Sequence, residues 1–263
     1  MIKLCVAGAT GRMGSTVIKE AVKRDFEVVG AIAAPGEAEQ GKTLRELQLC
    51  DSDVKILDPT RLEETVQKAE VYISFTSPKA ELNNIPKVAD LGTKIVMGTT
   101  GFTEDQMAQL KSAVASKVPA VFAPNFAIGV NILFRTLQNL KSLPLEYDLS
   151  LVEAHHSQKK DAPSGTAKAL AEKISEIRGY KHQVHGRTGI DPRKPEEMEV
   201  VSIRAGGIPG IHRVIAAGPY EMLEIKHLSF SRRVFAQGAL YVAEWIVNQT
   251  KPGVYSLDEI LNR

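Results

Sequence analysis

Through the first half of the chain, short apolar runs alternate with longer stretches in which apolar residues recur at helical spacing. Ile2 to Ala7 (IKLCVA) is nearly all apolar, the pattern of a parallel strand covered on both faces. Phe26 to Ala33 (FEVVGAIA), Val54 to Leu57, Glu70 to Phe75 (EVYISF), Lys94 to Gly98 (KIVMG) and Val118 to Ala123 (VPAVFA) read the same way. Helices are predicted after the first strand through about Lys23, over Arg61–Lys68, from Pro78 onward, and over Ala127–Leu140. Residues 36–53, rich in Gly, Glu and Lys, read as a loop with a short helix. Strands alternating with helices predict a parallel, doubly wound sheet whose ligands sit beyond the strand carboxyl ends.

The pattern then changes. Asp148 to Glu153 (DLSLVE) alternates as a half-buried strand does. Ser164 is a good N-cap, and Ala167, Leu170, Ala171, Ile174 and Ile177 follow at helical spacing. The polar run Arg178–Glu197 reads as a solvated loop, its His182 and His185 lacking the further ligands a metal site needs. Glu199–Arg204, His212–Ala217 and Glu221–Ser229 are alternating runs separated by Gly-Gly, Pro-Gly and Gly-Pro turns, which predicts an antiparallel meander. Phe235 to Val247 is a long apolar helix expected to return to the first domain, with Tyr255–Leu261 as a closing element. The expected division is residues 1–127 and 236–263 in one domain and 128–235 in the other, with an active cleft between them and hinges near 126–130 and 230–236.

Composition narrows the function classes. The 33 Lys+Arg against 31 Asp+Glu leave +2, so no global field calls for nucleic acid or a membrane surface. No apolar run approaches the roughly 20 residues of a spanning helix, and the N-terminus enters a strand directly, without a signal peptide's apolar stretch. The two cysteines, Cys5 and Cys50, make no disulfide framework, and Cys5 reads as a small core residue. Together these point to the cytoplasm.

Two groups of residues carry candidate chemistry. The first strand runs into Gly8-Ala9-Thr10-Gly11-Arg12-Met13-Gly14 and a helix, the opening that lays a dinucleotide's pyrophosphate on a helix N-terminus. Its spacing is G-x-x-G-x-x-G. FTSP from Phe75, GTTG from Gly98 and APNF from Ala123 each close a later strand, which favours a nicotinamide site. The second group is EAHHSQKKDAPSGTA, from Glu153 to Ala167. It offers an acid/base active near neutral pH in His155 or His156, a cation in Lys159 or Lys160, and an anion cradle at Ser164, Gly165 and Thr166. That combination suits proton delivery to a substrate bearing carboxylates.

EAHHxxKxDAPSGTA resembles the signature of the 4-hydroxy-tetrahydrodipicolinate reductase family, formerly dihydrodipicolinate reductase. The GRMG loop, FTSP, GTTGF, APNFAIGVN and SRRVFAQGAL extend the resemblance along most of the chain, leaving about 35–60 and 180–200 outside it. It implies a Rossmann-like doubly wound parallel sheet domain plus an α+β substrate and oligomerisation domain with an open mixed sheet. It also implies NAD(P)H-dependent reduction of (2S,4S)-4-hydroxy-2,3,4,5-tetrahydrodipicolinate to tetrahydrodipicolinate with loss of water, in diaminopimelate and lysine biosynthesis, by a homotetramer. By the same resemblance His155 is the proton donor, Lys159 the catalytic lysine, and His156, Ser164, Gly165 and Thr166 are carboxylate contacts. Lys160 is expected to be a solvated neighbour. Phe75 would be a further cofactor contact, and Gly98, Thr99, Thr100, Ala123, Pro124, Asn125 and Phe126 would line the nicotinamide side. At the end of the second strand, where many members of the family carry an acid followed by a base, Ala34 and Pro35 stand here. With no acid at that position, and with Arg12 at the helix start, NADPH is expected to work at least as well as NADH.

Three other classes compete. A short-chain reductase shares the G-A-T-G-x-x-G opening but needs Tyr-x-x-x-Lys, and none of the six tyrosines has a lysine four residues on. A non-catalytic NADPH sensor would not need the proton donor and carboxylate contacts that are present. A two-domain amino-acid dehydrogenase, such as an aspartate dehydrogenase, would be separated by substrate.

Overall fold

The computed structural model describes residues 1–262. The chain divides into two compact units, Met1–Ala127 with the segment from Arg232 onward, and Ile128–Ser231. The first stretch holds β1 Ile2–Ala7, α1 Arg12–Ala21, β2 Phe26–Ile32, β3 Ile56–Leu57, α2 Leu62–Val66, β4 Val71–Ser74, α3 Pro78–Asp90, β5 Lys94–Met97, α4 Glu104–Val114 and β6 Pro119–Phe122. The second unit holds α5 Ile128–Leu137, β7 Asp148–His155, α6 Gly165–Arg178, β8 His182–Val184, β9 Glu197–Arg204, β10 Ile211–Ala217 and β11 Met222–Leu228. The chain then returns to the first unit as α7 Arg233–Ile246, β12 Gly253–Tyr255 and α8 Leu257–Leu261.

The first unit is a seven-stranded sheet in the order β12-β6-β5-β4-β1-β2-β3, parallel throughout. Side chains of β1 alternate between its faces. Leu4 and Val6 join a core with Val17 and Ile18 of α1 and Leu240, Ala243 and Ile246 of α7. Cys5 and Ala7 join a second core with Ile85 and Val88 of α3 and Leu110 and Val114 of α4. Because helices cover both faces, every position of a central strand gains from being apolar, about 1.5–3 kcal/mol per fully buried Val, Leu or Ile side chain. Strand order reverses between β1 and β4, the switch point where parallel sheets bind ligands.

The second unit is a five-stranded sheet in the order β11-β10-β7-β9-β8, with α5 and α6 on one face. Leu149 and Leu151 of β7, Met198 and Val200 of β9, and Val214 and Ala216 of β10 pack against Leu170, Ala171 and Ile174 of α6. The period of two carries that same face onward to polar residues: Glu153 and His155 on β7, Ser202 and Arg204 on β9, and His212 on β10.

Three expectations need correction, and one helix had no counterpart among them. The three late strands do not form a meander. The strand β7 lies between β9 and β10, parallel to β9 and antiparallel to β10. Helix α6 provides the crossover that parallel β7 and β9 require, and alternation cannot reveal this order. Residues 36–53 are turns without a helix. The polar run after Arg178 is not all loop, since His182–Val184 pairs with β9 and Arg187 bonds both Glu197 and Glu199. Helix α4, capped reciprocally by Thr103 and Gln106, is an element that the apolar spacing does not announce.

Candidate active site

In the first unit the glycine loop sits at the carboxyl end of β1. The Gly8 and Ala9 amides donate to Ile32 O, and the Gly11 amide to Gly8 O. Gly8 has a φ of +75°, and a Cβ there would come within 2.3 Å of Phe75 O. A Cβ on Gly14 would fall 2.0 Å from Gly8 O, so α1 closes onto the loop only through glycine. The N-cap, Gly11, offers α1 no side-chain cap. The bare backbone, tight turn and helix start fit a dinucleotide's pyrophosphate.

The other expected cofactor residues gather at neighbouring strand ends. Phe75 follows β4, and its ring meets Phe126 edge-on at 6.0 Å between centroids. A Cβ on Gly98 would strike the Phe75 ring at 2.1 Å, so glycine makes room for it. A pocket of about 290 Å3 opens beyond β5 and β6, with Thr99, Thr100, Phe102, Ala123 and Pro124 in its lining. Asn125 Oδ1 accepts from the Ala127 amide and shapes the chain after it. Ala34 follows β2 and is exposed.

Beneath these loops lies a carboxyl group the sequence did not flag. Glu81 of α3 is fully buried and accepts from the Thr76 hydroxyl, while the Thr76 amide donates to Thr99 Oγ1 at 2.9 Å. Burial pushes the Glu81 carboxyl up to about 7, against nearby hydroxyls of Thr76, Ser74, Thr99 and Tyr72 that favour its ionised form. A carboxyl raised in the folded state keeps its stabilising proton below its unfolded pKa and destabilises the fold as pH rises through about 7. Glu81→Gln keeps an acceptor for Thr76 and has no charge to bury. The variant should gain on the parent by up to about 3 kcal/mol between about pH 5 and about pH 8.5. Thermal melts at the two pH values check this, and a difference that does not grow with pH refutes it.

In the second unit the signature stretch is organised by Glu153, which is fully buried. Its Oε2 lies 2.6 Å from His155 Nδ1. Its Oε1 accepts from Arg204 at 2.8 Å and from the Ser164 amide at 3.2 Å. Burial raises this carboxyl, but Arg204, His155 and Ser202 outweigh it and hold the pKa below the usual range. An ionised Glu153 takes the Nδ1 proton of His155 as a hydrogen bond, leaving Nε2 as the nitrogen that gains and gives a proton. Nothing bulky crowds that nitrogen at Gly210, where a Cβ would sit 3.2 Å away. Burial lowers the His155 pKa, partly offset by Glu153 and reinforced by Lys159 and Arg204.

The loop after β7 is held to the sheet. Arg204 donates to Asp161 O, and the Ser157 amide to Gly206 O. Lys159 pairs with Asp161 at 2.8 Å, whereas Lys160 is exposed. His156 follows β7 and is half-buried, its carbonyl accepting from the Lys159 amide. Ser164 caps α6 by accepting from the Ala167 amide and is only 2% exposed. Its amide and hydroxyl are thus engaged within the protein. The more open positions of this helix start are Gly165, where a Cβ would meet nothing within 4 Å, and Thr166.

Two further histidines carry no signal in the sequence. His212 faces Glu153 across the β7–β10 pair, and His227 faces His212 across β10–β11. The His155 and His212 rings meet edge-on at 5.3 Å, and His212 and His227 lie 6.3 Å apart. His212 Nε2 is 3.3 Å from Ser164 Oγ, and burial drives its pKa to about 4. The row depends on strand register, which no local pattern carries.

Comparison with known proteins identifies the family. The family model for the dihydrodipicolinate reductase N-terminus matches residues 2–126, and that for the C-terminus matches residues 129–261. The 4-hydroxy-tetrahydrodipicolinate reductases of Methanosarcina barkeri and Trichlorobacter lovleyi are 42% and 39% identical to this chain, each alignment covering 99% of both proteins. The dipicolinate-bound dihydrodipicolinate reductase of Paenisporosarcina sp. TG-14 shares the fold, with a TM-score of 0.78 at 22% identity over 99% of this chain and 100% of that one. An engineered D-amino acid dehydrogenase bound to NADP+ has a TM-score of 0.58 at 14% identity, over 97% and 93%. With both halves matched and full-length relatives at this identity, the chain belongs to the dihydrodipicolinate reductase family, the oxidoreductases that act as 4-hydroxy-tetrahydrodipicolinate reductases in lysine biosynthesis.

Proposed function

We propose that this chain reduces 4-hydroxy-tetrahydrodipicolinate with NADH or NADPH, the first unit holding the cofactor and the second the substrate. The single observation that carries the reading of the substrate half is the Glu153–His155 pair at 2.6 Å beside the start of α6. A reduced nicotinamide dinucleotide supplies the hydride. The glycine loop from Gly8 to Met13 holds its pyrophosphate, with the adenosine end beyond β2 near Ala34. Phe75, Gly98 to Thr100 and Ala123 to Phe126 hold its nicotinamide end.

On the second unit, one substrate carboxylate takes the backbone at Gly165 and Thr166, and Ser164 shapes that turn from beneath. His156 and Lys159 meet the remaining negative charge. His155 Nε2 gives the proton that balances hydride addition and loss of water. Burial lowers the pKa of this imidazole and so favours its neutral form; a dianionic substrate beside it would raise that pKa and favour the protonated form. This is general acid catalysis in which substrate helps to charge the acid.

The uncovered face of the five-stranded sheet carries exposed apolar residues, among them Ile203 (44%) and Met222 (60%), which supports assembly through that face. We take the assembly to be a homotetramer. The test is an assay with substrate made in situ from pyruvate and aspartate semialdehyde, following loss of the reduced nicotinamide's near-ultraviolet absorbance. Substrate-dependent loss with either cofactor is expected, from a preparation that light scattering weighs as four chains. Oxidation of neither cofactor would remove the catalytic reading, and a monomeric mass the assembly.

A further inference from the structure

The loop after β2 returns a carboxylate to the glycine loop. Ala34 and Pro35 follow the strand, but the chain turns back at once. The Glu37 amide donates to Ala34 O, and Gly36 takes a φ of +77°. The turn is tied down further along: Gln40 Nε2 donates to Ala34 O at 2.8 Å and to Asp58 Oδ2 at 3.2 Å, and the Gly41 amide donates to Ile56 O at 2.8 Å. Glu37 therefore stands on a braced segment. Its carboxylate accepts from the Thr10 hydroxyl, at the centre of the glycine loop.

We propose that Glu37, held on Thr10, is the residue that selects the cofactor, favouring NADH and opposing the 2′-phosphate of NADPH. This rests on the reading of the first unit as an NAD(P)H site. In parallel dinucleotide-binding sheets the adenosine ribose lies between the glycine loop and the end of the second strand. A carboxylate there accepts hydrogen bonds from the ribose hydroxyls, and it faces a 2′-phosphate charge to charge. The usual acid projects from the strand end itself. Here it comes from three residues farther on, returned by a turn, and a comparison by aligned position sees only Ala34. A carboxylate at this place runs against the expectation, drawn from Ala34 and Arg12, that NADPH serves at least as well as NADH. Arg12 is the opposing influence. It opens α1 two residues after Thr10, is exposed, and is of the right charge to pair with a 2′-phosphate.

The test is a calorimetric titration of the whole protein with NADH and with NADPH, alongside kcat/KM for each. Glu37→Gln retains an acceptor for Thr10 and loses the charge, and Glu37→Ala loses both. The wild type should bind NADH at least about tenfold more tightly than NADPH, a difference on the scale of one charge-assisted contact. Glu37→Gln should shrink that ratio about tenfold, chiefly by tightening NADPH, and Glu37→Ala should also weaken NADH. Unchanged melting temperatures will show that both variants fold. A wild type that prefers NADPH, or a ratio that neither variant moves, overturns the assignment to Glu37. Failure of the wild type to bind either dinucleotide is a different result and removes the cofactor site itself.

Discussion

Glu153→Gln is expected to lower kcat by about 10²-fold and to move the loss of activity at rising pH to lower pH. Glu153 is a positioning residue, since it reaches the reaction only through His155. As a carboxylate it can only accept, so it imposes a proton on Nδ1 and leaves Nε2 for the chemistry. A glutamine presents either an oxygen or an amide to Nδ1 and no longer dictates the tautomer. The sign of the pH effect follows from the charge. Glu153 raises the His155 pKa against the larger effect of burial. Removing the charge lets that pKa fall, so the protonated acid is lost at lower pH than in the parent.

The same variant should cost stability. Glu153 is depressed in the folded state, so its contribution is present above its unfolded pKa and fades as pH falls through the folded value. Replacing it leaves Arg204 without its charge partner, a loss of about 3 kcal/mol on the scale of a broken buried pair. Arg204 retains 18% of its side-chain exposure, which holds the cost to the lower end of that scale. Turnover, its pH profile and the melting temperature are measured together. A stability loss with an unshifted pH profile would reduce Glu153 to scaffolding.

His155→Gln and Lys159→Ala should each lower kcat by about 10²-fold or more, the scale of lost general acid catalysis. The two changes act differently on the protein. Glutamine at 155 leaves a donor for Glu153 but no titrating nitrogen, so the remaining activity should lose its dependence on pH near neutrality. Alanine at 159 removes a cation paired with Asp161 on a loop that Arg204 also holds. That variant should bind a dicarboxylate such as dipicolinate more weakly, whereas the His155 variant should hold it nearly as well. Parent-like turnover in both variants would remove the assigned roles.

The local signals in this chain are strong. IKLCVA reads as a covered strand because helices lie on both of its faces, and alternating residues divide between two cores. Ser164 reads as a helix start because capping needs only a hydroxyl and an amide three residues on. The glycine loop is legible because a backbone forced against Phe75 O and Gly8 O tolerates no side chain. Each of these depends on neighbours within one turn or one strand, which a sequence displays directly, or on a glycine that only a crowded backbone requires.

The sequence by itself therefore determined most of the succession of elements, though not α4 or β8, together with the face each strand residue takes and the stretch that carries His155, Lys159 and the turn at Ser164. Tertiary structure alone decided which elements are neighbours. It put β9 beside β7, brought Arg204 to Glu153, lined His212 and His227 up with His155, returned Glu37 to Thr10 and set Glu81 under Thr76 and Thr99. Periodicity encodes the side of a strand on which a residue lies, while partner and register emerge from the packing of whole faces against one another.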